Sequence, residues 1–571
     1  MGSVTAKRVM FSCLILLLLV AAACSRSGGD KQESSGSSQP AETTGSDNML
    51  NPMDMNAKYD PPVTITTIRA KNESMFFHPD ESMDHNAIYD AYLRDLGIII
   101  KNDWVVDGKE YDQKLKISIA SDNLPDFFLV SAADLPQLIE SDMVMDLTEA
   151  YEQFASDKTK EVLMADGGKQ MKTATFGGKL MAIPQTSSPF GTAELVWLRN
   201  DWLREMKLPE PKTMQDLLKI SEAFASRDSG GKGKVFGMAL NKEDISVPTG
   251  FFNGFFNGYH AYPTQWVKDE AGNLVYGSLQ PEMKTALKQL QDLYKAGQLD
   301  PELAVNDSAK SMEMVANDRI GLMFGEFWMS AIMQQSVVKD NKVTQDWGVY
   351  LLPSIDEKPA LTQVSASVNT FYVINKKAKN PDAVFKLLNH WVNLQTEGEI
   401  EEGNPRSVYT FGRELKSVGK EFWAINPLVV FLQDIFIQGG KEIPKAIQTG
   451  DASAITWSND LLSRYEAVKK YDAGDTALWL HAKIAGEGGG FAGLYDYFTQ
   501  DRYHFDEFYG PVTPVIAERG DLLKTKEQEL FTKIIMGSVS IDEFDKFIGE
   551  WNKLGGDQIT REVNDWYKSM N

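Results

Sequence analysis

The segment from Phe176 to Trp202 constrains the fold more than any other part of this sequence. The apolar residues from Leu180 to Ile183 predict a short buried strand, which ends at Pro184. After a small polar loop, Gln185 to Ser188, the apolar run from Leu195 to Leu198 predicts a second buried strand. Two buried strands joined in this way favour a crossover between two lobes, where backbone groups left unpaired by a sheet can meet a ligand. An ordinary strand-to-helix connection is the alternative.

The beginning of the chain has the pattern of an export signal. Lys7 and Arg8 precede an uncharged, largely apolar stretch, Val9 to Ala23, which ends in small residues before Cys24. A positive region, an apolar region and a small-residue cleavage site are typical of a secretory signal peptide. The apolar run is short for a membrane span, although an uncleaved anchor helix is the alternative. A cysteine at this position predicts cleavage before Cys24 and attachment of lipid to its thiol.

The residues that follow Cys24 predict a flexible tether up to residue 60. They are rich in Ser, Gly and Thr and poor in apolar side chains, so they cannot bury enough surface to fold. The chain has only two cysteines, Cys13 and Cys24, and Cys13 lies within the predicted signal peptide. We therefore expect a mature domain without disulfide bonds, which is feasible for a long chain because the buried fraction of surface rises with size.

The net charge of the chain is −22, and loss of Lys7 and Arg8 with a signal peptide makes the mature chain more acidic still. A domain this acidic repels phosphate backbones and anionic lipid headgroups, so nucleic acid is not expected as a partner. Solubility is the simpler explanation of the charge. Aromatic residues make up 11% of the 571 residues, which is enough for more than one core and for rings on the surface.

Two aromatic segments are candidates for ligand contact. The segment Thr249 to Trp266 mixes Gly, Phe, Asn and Tyr, so we expect irregular backbone that presents some of its rings. Further on, the strand predicted from Ile320 to Phe324 ends in Gly325, Glu326, Phe327 and Trp328. At a strand end, an aromatic ring can stack on a sugar, and a carboxylate beside it can accept hydrogen bonds from the hydroxyl groups of that sugar. The alternative in both cases is an aromatic core.

Several long segments resemble one family. They are LRNDWLREMKLPEPKTMQDLLKISEAF from Leu198, GYHAYPTQWVKDEAGNLVYGSLQPEMK from Gly258, and the C-terminal stretch from Phe508. They are similar to the extracellular solute-binding proteins of ABC transporters, and most closely to the large lipoprotein members whose ligands are oligosaccharides. The resemblance implies an α/β, two-lobed periplasmic-binding-protein type II fold, with hinge strands near Ala182 and Asn369.

The resemblance also indicates which residues contact the ligand. The turn SDNLPD, from Ser121 to Asp126, is similar to a family turn in which the residue two before proline binds a sugar hydroxyl. Here that residue is Asn123; the alternative is that Asn123 and Asp126 only cap the turn. The predicted contacts are Asp122, Asn123, Ser187, Ser188, Trp197, Tyr259, His260, Tyr262, Trp266, Glu326, Trp328 and Tyr509. The loop from Ser226 to Met238 lies where relatives bind calcium, but it offers Asp228 and little else, so we predict no metal and no cofactor.

The predicted organisation has four parts. Residues 1–23 are a lipoprotein signal peptide and residues 24–60 a tether. Residues 61–183 with 370–430 form an N-terminal lobe, and residues 184–369 with 431–571 form a C-terminal lobe. For the region 401–502 the sequence predicts helices and no specific contacts.

The predicted function is that of a binding protein and not an enzyme. A lipid-anchored monomer on the extracellular face of the plasma membrane would close on an oligosaccharide and deliver it to the transmembrane subunits of an ABC permease. The six histidines show no metal-ligand spacing, and no G-x-S-x-G motif is present. A secreted glycoside hydrolase, which needs only two carboxylates, and a carbohydrate-binding surface adhesin are the alternatives.

Overall fold

The computed structural model describes residues 57–71, 75, 77, 80–245, 252–365, 368–396 and 423–570. The predicted signal peptide, Cys24 and nearly all of the predicted tether lie outside these residues, as do residues 397–422. None of the described helices is both long enough and apolar enough to cross a bilayer.

The strands are β1 (Val63–Lys71), β2 (Ile98–Asp107), β3 (Phe127–Ser131), β4 (Thr175–Phe176), β5 (Lys179–Leu180), β6 (Ile183–Pro184), β7 (Glu194–Arg199), β8 (Trp266–Lys268), β9 (Leu274–Tyr276), β10 (Leu322–Glu326), β11 (Val338–Lys339), β12 (Lys342–Val343), β13 (Trp347–Tyr350), β14 (Thr362–Val364), β15 (Thr370–Ile374) and β16 (Tyr503–Phe505).

The α-helices are α1 (Ala87–Leu96), α2 (Tyr111–Ala120), α3 (Leu135–Glu140), α4 (Thr148–Phe154), α5 (Asp157–Leu163), α6 (Lys169–Thr173), α7 (Asn200–Met206), α8 (Met214–Ala225), α9 (Lys242–Ile245), α10 (Asn253–Asn257), α11 (Pro281–Lys295), α12 (Ser308–Ala316), α13 (Met329–Val337), α14 (Pro381–Thr396), α15 (Ile435–Thr449), α16 (Asn459–Asp472), α17 (Trp479–Ala485), α18 (Gly490–Thr499), α19 (Pro514–Ile535), α20 (Glu543–Trp551) and α21 (Asp557–Met570).

Local signals in the sequence explain several helix boundaries. Thr213 caps α8, and its capping box with Asp216 is complete. Pro281 occupies the first turn of α11, where its missing N–H costs nothing, and Gly297 follows the helix with a left-handed φ of 70°. The residue at the start of α20 is Asp542, whose side chain makes no capping bond.

The first lobe contains a sheet in the order β3-β15-β6. β15 is antiparallel to both neighbours, with Thr370 opposite Ser131 at one end and Ile374 opposite Phe127 at the other. β3 and β6 are therefore parallel, and both leave the sheet at the end where β15 enters it. The sequence predicted one strand from Leu180 to Ile183; the structure instead pairs β5 with β4 and β6 with β15.

The second lobe is built on a sheet in the order β10-β7-β13. β10 and β13 are both antiparallel to β7, and Glu194 at the start of β7 pairs with Glu326 at the end of β10. Every residue of β7 is buried, as the apolar run from Leu195 to Leu198 predicted. The chain therefore enters the second sheet at the same end where β10 leaves it, directly after the crossover.

Three segments of the chain run between the two lobes. The first is Gln185 to Ala193, which links β6 to β7, and the second ends at Asn369 before β15. The third precedes α15, and its Phe431 donates its backbone N–H to the Thr186 oxygen at 3.2 Å. Gln185 also donates its backbone N–H to the Thr370 oxygen at 3.0 Å, so all three segments lie side by side.

The C-terminal helices pack against the second lobe. Trp551 of α20 stacks on Tyr276 of β9 with ring centroids 5.1 Å apart, and Leu523 of α19 belongs to the same apolar cluster. Asn564 of α21 exchanges hydrogen bonds with the backbone of Leu274 at 2.8 Å in both directions. The end of the chain is therefore a packing element for the β8–β9 hairpin.

Candidate functional site

The structure places the turn with Asp122 and Asn123 away from the crossover. The turn precedes β3, and the antiparallel register puts the start of β3 beside Ile374, at the far end of the sheet from Thr370. Asp122 is exposed and forms an ion pair with Lys377 at 2.5 Å. The structure therefore does not bring Asp122 and Asn123 to the crossover, because β3 carries the chain from this turn toward it.

We expect Asp122→Ala to leave ligand affinity unchanged and to alter stability little, because an exposed ion pair contributes only about 0–1 kcal/mol. Titration of the wild-type protein and the variant with the same glycan tests this. A clear loss of affinity in the variant would show that the turn contacts the ligand.

The carboxyl end of β3 is the part of the first lobe that reaches the crossover. Ser131 donates its hydroxyl to Asp134 Oδ2 at 2.7 Å, and the Ala132 N–H donates to the Asn369 oxygen at 2.9 Å. Ligands of open α/β sheets bind outside the carboxyl ends of strands, which is where these residues lie. The polar residues directly after the buried run Phe127–Val130 were the signal that sequence reasoning missed.

Ser187 and Ser188 lie in the first crossover segment, as predicted. The Gln170 side chain of α6 donates to the Ser187 backbone oxygen and accepts the Ser187 backbone N–H, each at 3.0 Å. These two bonds hold the loop against the first lobe. Ser188 is only 7% exposed, and its hydroxyl has no hydrogen-bond partner among the described residues. A buried hydroxyl without a partner is a site where a ligand oxygen or a water is expected.

Glu326 and Trp328 stand together at the carboxyl end of β10. The indole Nε1 of Trp328 donates to Glu326 Oε2, while no described residue donates to Glu326 Oε1. Burial raises the pKa of the Glu326 carboxyl to about 7, and the Trp328 bond offsets this only in part. The pair offers a half-buried ring edge and a carboxyl oxygen at the end of the sheet that faces the crossover.

Glu194, opposite Glu326, already has protein partners. Its Oε1 accepts the Asn253 N–H at 3.0 Å and its Oε2 accepts the Gly254 N–H at 2.7 Å. Burial raises the pKa of Glu194 well above its usual range, and the charge of Glu326 raises it further. Glu194 therefore anchors the start of α10, and each of its oxygens already accepts one backbone N–H.

Three aromatic residues predicted as ligand contacts are buried. Trp197 is fully enclosed between the strands of the second sheet, and its Nε1 donates to the Gly325 oxygen at 3.3 Å. Trp266 packs in the cluster beneath the C-terminal helices, and Tyr259 packs on Phe255 with centroids 5.2 Å apart. These rings are almost fully buried, so the structure leaves none of them a free face for stacking, although the buried Tyr259 hydroxyl has no hydrogen-bond partner among the described residues.

The expectation of irregular backbone between Thr249 and Trp266 also needs correction. Residues 253–257 form the short helix α10, which buries Phe255 and Phe256 against the second sheet. Burial of these rings is the aromatic-core alternative that the sequence left open.

The other predicted contacts lie on the surface of the second lobe. His260 has a left-handed φ of 60° and pairs with Asp356 at 3.0 Å. Tyr262 stacks on His504 with centroids 3.7 Å apart, and burial lowers the pKa of His504 to about 4. Tyr509 packs edge-on against Trp566 of α21 at 5.0 Å. Tyr262 and Tyr509 are therefore tied to C-terminal elements and His260 to the loop after β13, and none of these contacts involves the Glu326–Trp328 pair.

A group of rings beside the crossover was missed by sequence reasoning. Phe190 contacts Tyr503 at 4.8 Å and Phe498 at 5.9 Å, and Phe498 is 51% exposed. Lys169 of α6 places its ammonium 4.4 Å from the ring centroid of Phe505. Because α6 belongs to the first lobe, these rings lie where the two lobes meet.

Among the described residues no group of three or more His, Cys, Asp or Glu side chains could hold a metal ion. In the loop that the sequence compared with a calcium site, Lys232 forms an ion pair with Asp318 at 2.7 Å, and Asp318 also accepts from Arg199 at 2.9 Å. The charge of Asp318 is thus neutralised by side chains of this protein.

Comparison with known proteins identifies relatives across most of the chain. Residues 90–393 match the sequence profile described as bacterial extracellular solute-binding protein. The chain is 21% identical over 480 residues to the polygalacturonan/rhamnogalacturonan-binding protein YtcQ of Bacillus subtilis (strain 168), covering 81% of this chain and 84% of that protein. It is 20% identical to the lipoprotein LipO of the same organism, covering 86% and 90%.

Solved structures share the fold at low sequence identity. One is a solute-binding protein from Bifidobacterium longum infantis ATCC 15697, titled as HMO-binding and ABC-transporter associated, with a TM-score of 0.60 and 14% identity over 89% of this chain and 98% of that one. Another is the alginate-binding protein AlgQ2, with a TM-score of 0.55 and 15% identity over 89% and 99%. The two-lobed α/β fold predicted from the sequence is confirmed. Since the family profile spans more than half of the chain, this protein belongs to the bacterial extracellular solute-binding proteins.

Proposed function

We propose that this protein is the lipid-anchored binding component of an ABC importer, which captures an oligosaccharide between its lobes and delivers it to a membrane permease. The lobes are residues 61–183 with 370–430 and residues 184–369 with 431–571. The names of the relatives support a sugar ligand, since they include a polygalacturonan/rhamnogalacturonan-binding protein and, from Streptococcus pneumoniae, a fructooligosaccharide-binding protein, FusA. The signal-like N-terminus and Cys24 support the lipid anchor.

The observation that carries the proposal is the Glu326–Trp328 pair at the crossover end of the second sheet. Trp328 is half-buried at the end of β10, and Glu326 Oε1 accepts no hydrogen bond from a described residue. In our proposal the indole packs against the C–H face of a sugar and this oxygen accepts a hydrogen bond from one of its hydroxyl groups. The carboxyl ends of β3 and β6 open toward the same crossover from the other lobe. A ligand held by both lobes favours the closed arrangement, which is the signal that a permease can recognise.

The two neighbouring carboxyl groups, those of Glu194 and Glu326, favour a binding protein over a glycoside hydrolase. Glycoside hydrolases need two carboxyl groups that are both free to act on the glycosidic bond. Here Glu194, the cross-strand partner of Glu326, has both oxygens engaged by backbone N–H groups. A panel of fructo-, galacto- and xylo-oligosaccharides and oligogalacturonides should therefore include a glycan that shifts the tryptophan fluorescence of the purified protein without release of new reducing ends. Release over hours would support the hydrolase.

We expect Trp328→Ala to weaken binding of the responding glycan by about 1–3 kcal/mol, by analogy with the stacking of nucleic-acid bases on aromatic rings. Isothermal titration measures the loss. Trp104→Ala is the matched control, because Trp104 lies on β2 of the first lobe, where its ring packs beside Tyr111. The control should lose stability and keep its affinity; equal affinities in the wild type and Trp328→Ala would remove the ring from the site.

A further inference from the structure

A lysine of the first lobe meets a strand of the second lobe beside the crossover. The ammonium of Lys169, the first residue of α6, lies 4.4 Å from the ring centroid of Phe505 on β16. The next residue, Gln170, holds the crossover loop through its two bonds to the Ser187 backbone. The side chains of Lys169 and Phe505 are both partly exposed. Their contact therefore lies between the lobes at a place that solvent can reach.

Lys169 has no carboxylate partner among the residues that the structure describes. The acidic residue nearest to it in the sequence is Asp166, and both oxygens of Asp166 accept backbone N–H groups of their own loop at 2.9 Å. On the side of β16, Glu507 forms an ion pair with Lys268 at 2.8 Å. In a chain with a net charge of −22, the ammonium of Lys169 thus keeps a positive charge that these neighbouring acids do not neutralise.

Aromatic rings continue from Phe505 along the second lobe. The Phe190 ring lies edge-on to Phe505 at 6.1 Å and edge-on to Phe498 at 5.9 Å. Phe498 is 51% exposed, more than any other aromatic residue that the structure describes. Exposed rings of this kind offer an apolar surface on which the C–H groups of a sugar can pack. The cation therefore stands at one end of a surface suited to a sugar.

Paired backbone segments connect these rings with the Glu326 region. Tyr503 of β16 pairs with Thr362 of β14, and the Thr362 hydroxyl accepts the Glu194 N–H at 3.0 Å. Glu194 in turn pairs with Glu326 of β10. Lys169 and Glu326 thus mark two separate positions on neighbouring segments, one cationic and the other carrying a carboxyl group. An acidic sugar unit is attracted to the first position only.

We propose that Lys169 binds the carboxylate of a uronic acid unit, so that the ligand of this protein is an acidic oligosaccharide. This inference rests on the proposed function and names the class of sugar. An ammonium only donates hydrogen bonds and a carboxylate only accepts them, so the two groups are complementary. A bond between charged groups is also stronger than one between neutral groups. A hydroxyl at the same position would leave the charge of Lys169 uncompensated.

Titration with matched acidic and neutral ligands tests the inference. The probes are oligogalacturonides and oligomannuronates, each beside its methyl-esterified form, which has the same backbone and no charge. The full-length protein should bind at least one acidic probe about 10- to 100-fold more tightly than its ester, as expected for one hydrogen bond between charged groups. This preference should shrink in about 0.5 M NaCl, because salt screens partly exposed charges.

Lys169→Gln removes the charge and keeps a hydrogen-bonding group. We expect the ratio of acid to ester affinity to fall to about one, since an amide carries no charge to favour the acid. Both probes are titrated into the same variant, so a loss of stability would weaken both alike and leave the ratio unchanged. Lys172→Gln is the matched control, because Lys172 lies on the same helix, is exposed and gives the same change in net charge. The control should keep the wild-type ratio.

Several results would overturn the inference and leave the proposed function in place. One is a wild type that binds a neutral glycan of the panel more tightly than any acidic probe, or binds acid and ester equally. If Lys169→Gln weakens acid and ester by the same factor, Lys169 holds the lobes together through Phe505 and does not read the ligand charge. An equal loss of preference in Lys172→Gln would assign the effect to the net charge of the surface. If no glycan, acidic or neutral, binds the wild type, the proposed function falls as well.

Discussion

Replacing Glu194 with alanine is expected to lower the free energy of unfolding by about 2–6 kcal/mol, since each buried N–H left unpaired costs about 1–3 kcal/mol. Both oxygens of Glu194 accept backbone N–H groups at the start of α10, from Asn253 and Gly254. Gly254 also packs against Phe324 of β10, so no water can easily replace the carboxyl. Urea unfolding followed by circular dichroism measures the loss.

Glu205→Ala is the control for this substitution. Glu205 lies on α7 of the same lobe, is mostly exposed and pairs with Arg227 at 3.1 Å. Its removal should cost at most about 1 kcal/mol, because exposed ion pairs contribute little. Similar losses in the two variants would show that the Glu194 carboxyl does not hold α10 in place.

The second large effect is a pH dependence carried by Glu527. This residue of α19 is 2% exposed and lies beside the Tyr276 and Ser278 side chains, and burial raises its pKa from 4.5 to about 7. Between these two values the unfolded chain loses the proton while the folded protein keeps it. The stability contribution of the protonated carboxyl is therefore complete below pH 4.5 and is lost as the pH rises through about 7.

The side chain of the Glu527→Gln variant stays neutral at every pH. Between pH 4.5 and pH 8 we therefore expect the free energy of unfolding of the variant to rise by about 3 kcal/mol relative to that of the wild type, which corresponds to a pKa difference of about 2.5 units. Urea unfolding at several pH values measures the difference. Asp506 and Glu326 also have pKa values raised to about 7 by burial, so only the comparison between the two proteins isolates Glu527.

Glu529→Gln serves as the reference for the pH series, because Glu529 lies on the exposed face of the same helix. The free energy of unfolding of Glu529→Gln should change with pH in the same way as that of the wild type. If the Glu527→Gln profile is also parallel, then Glu527 is ionised in the folded protein at neutral pH and the assigned protonation state is wrong.

Sequence reasoning identified the family and the strands on both sides of the crossover, but it misplaced part of the site. Asp122 and Asn123 lie in a polar turn beside a buried strand, and nothing in that local pattern says which end of the strand faces the other lobe. The antiparallel pairing of β3 with β15 decides this, and it joins residues that are far apart in the sequence. The end of β3 that reaches the crossover is Ser131–Asp134.

Burial was equally difficult to predict for the aromatic residues. Trp197 and Trp328 both occur next to strand residues of the second sheet, yet one is enclosed between strands and the other stands at a strand end. The residues on either side of each tryptophan are similarly apolar, so the local sequence does not distinguish the two. Only packing from both sides of the sheet distinguishes a core ring from a ring at the crossover.

The sequence by itself determined the features that depend on neighbouring residues: the capping box of α8, the proline at the start of α11, the buried run of β7, and the family to which the segments belong. Tertiary structure alone decided which strand ends meet at the crossover, and that both oxygens of Glu194 accept backbone N–H groups whereas only Oε2 of Glu326 accepts a bond from a described residue. The reason is physical. Caps and hydrophobic periodicity act over a few residues, whereas sheet register and the contact between crossover segments join groups as far as 245 residues apart.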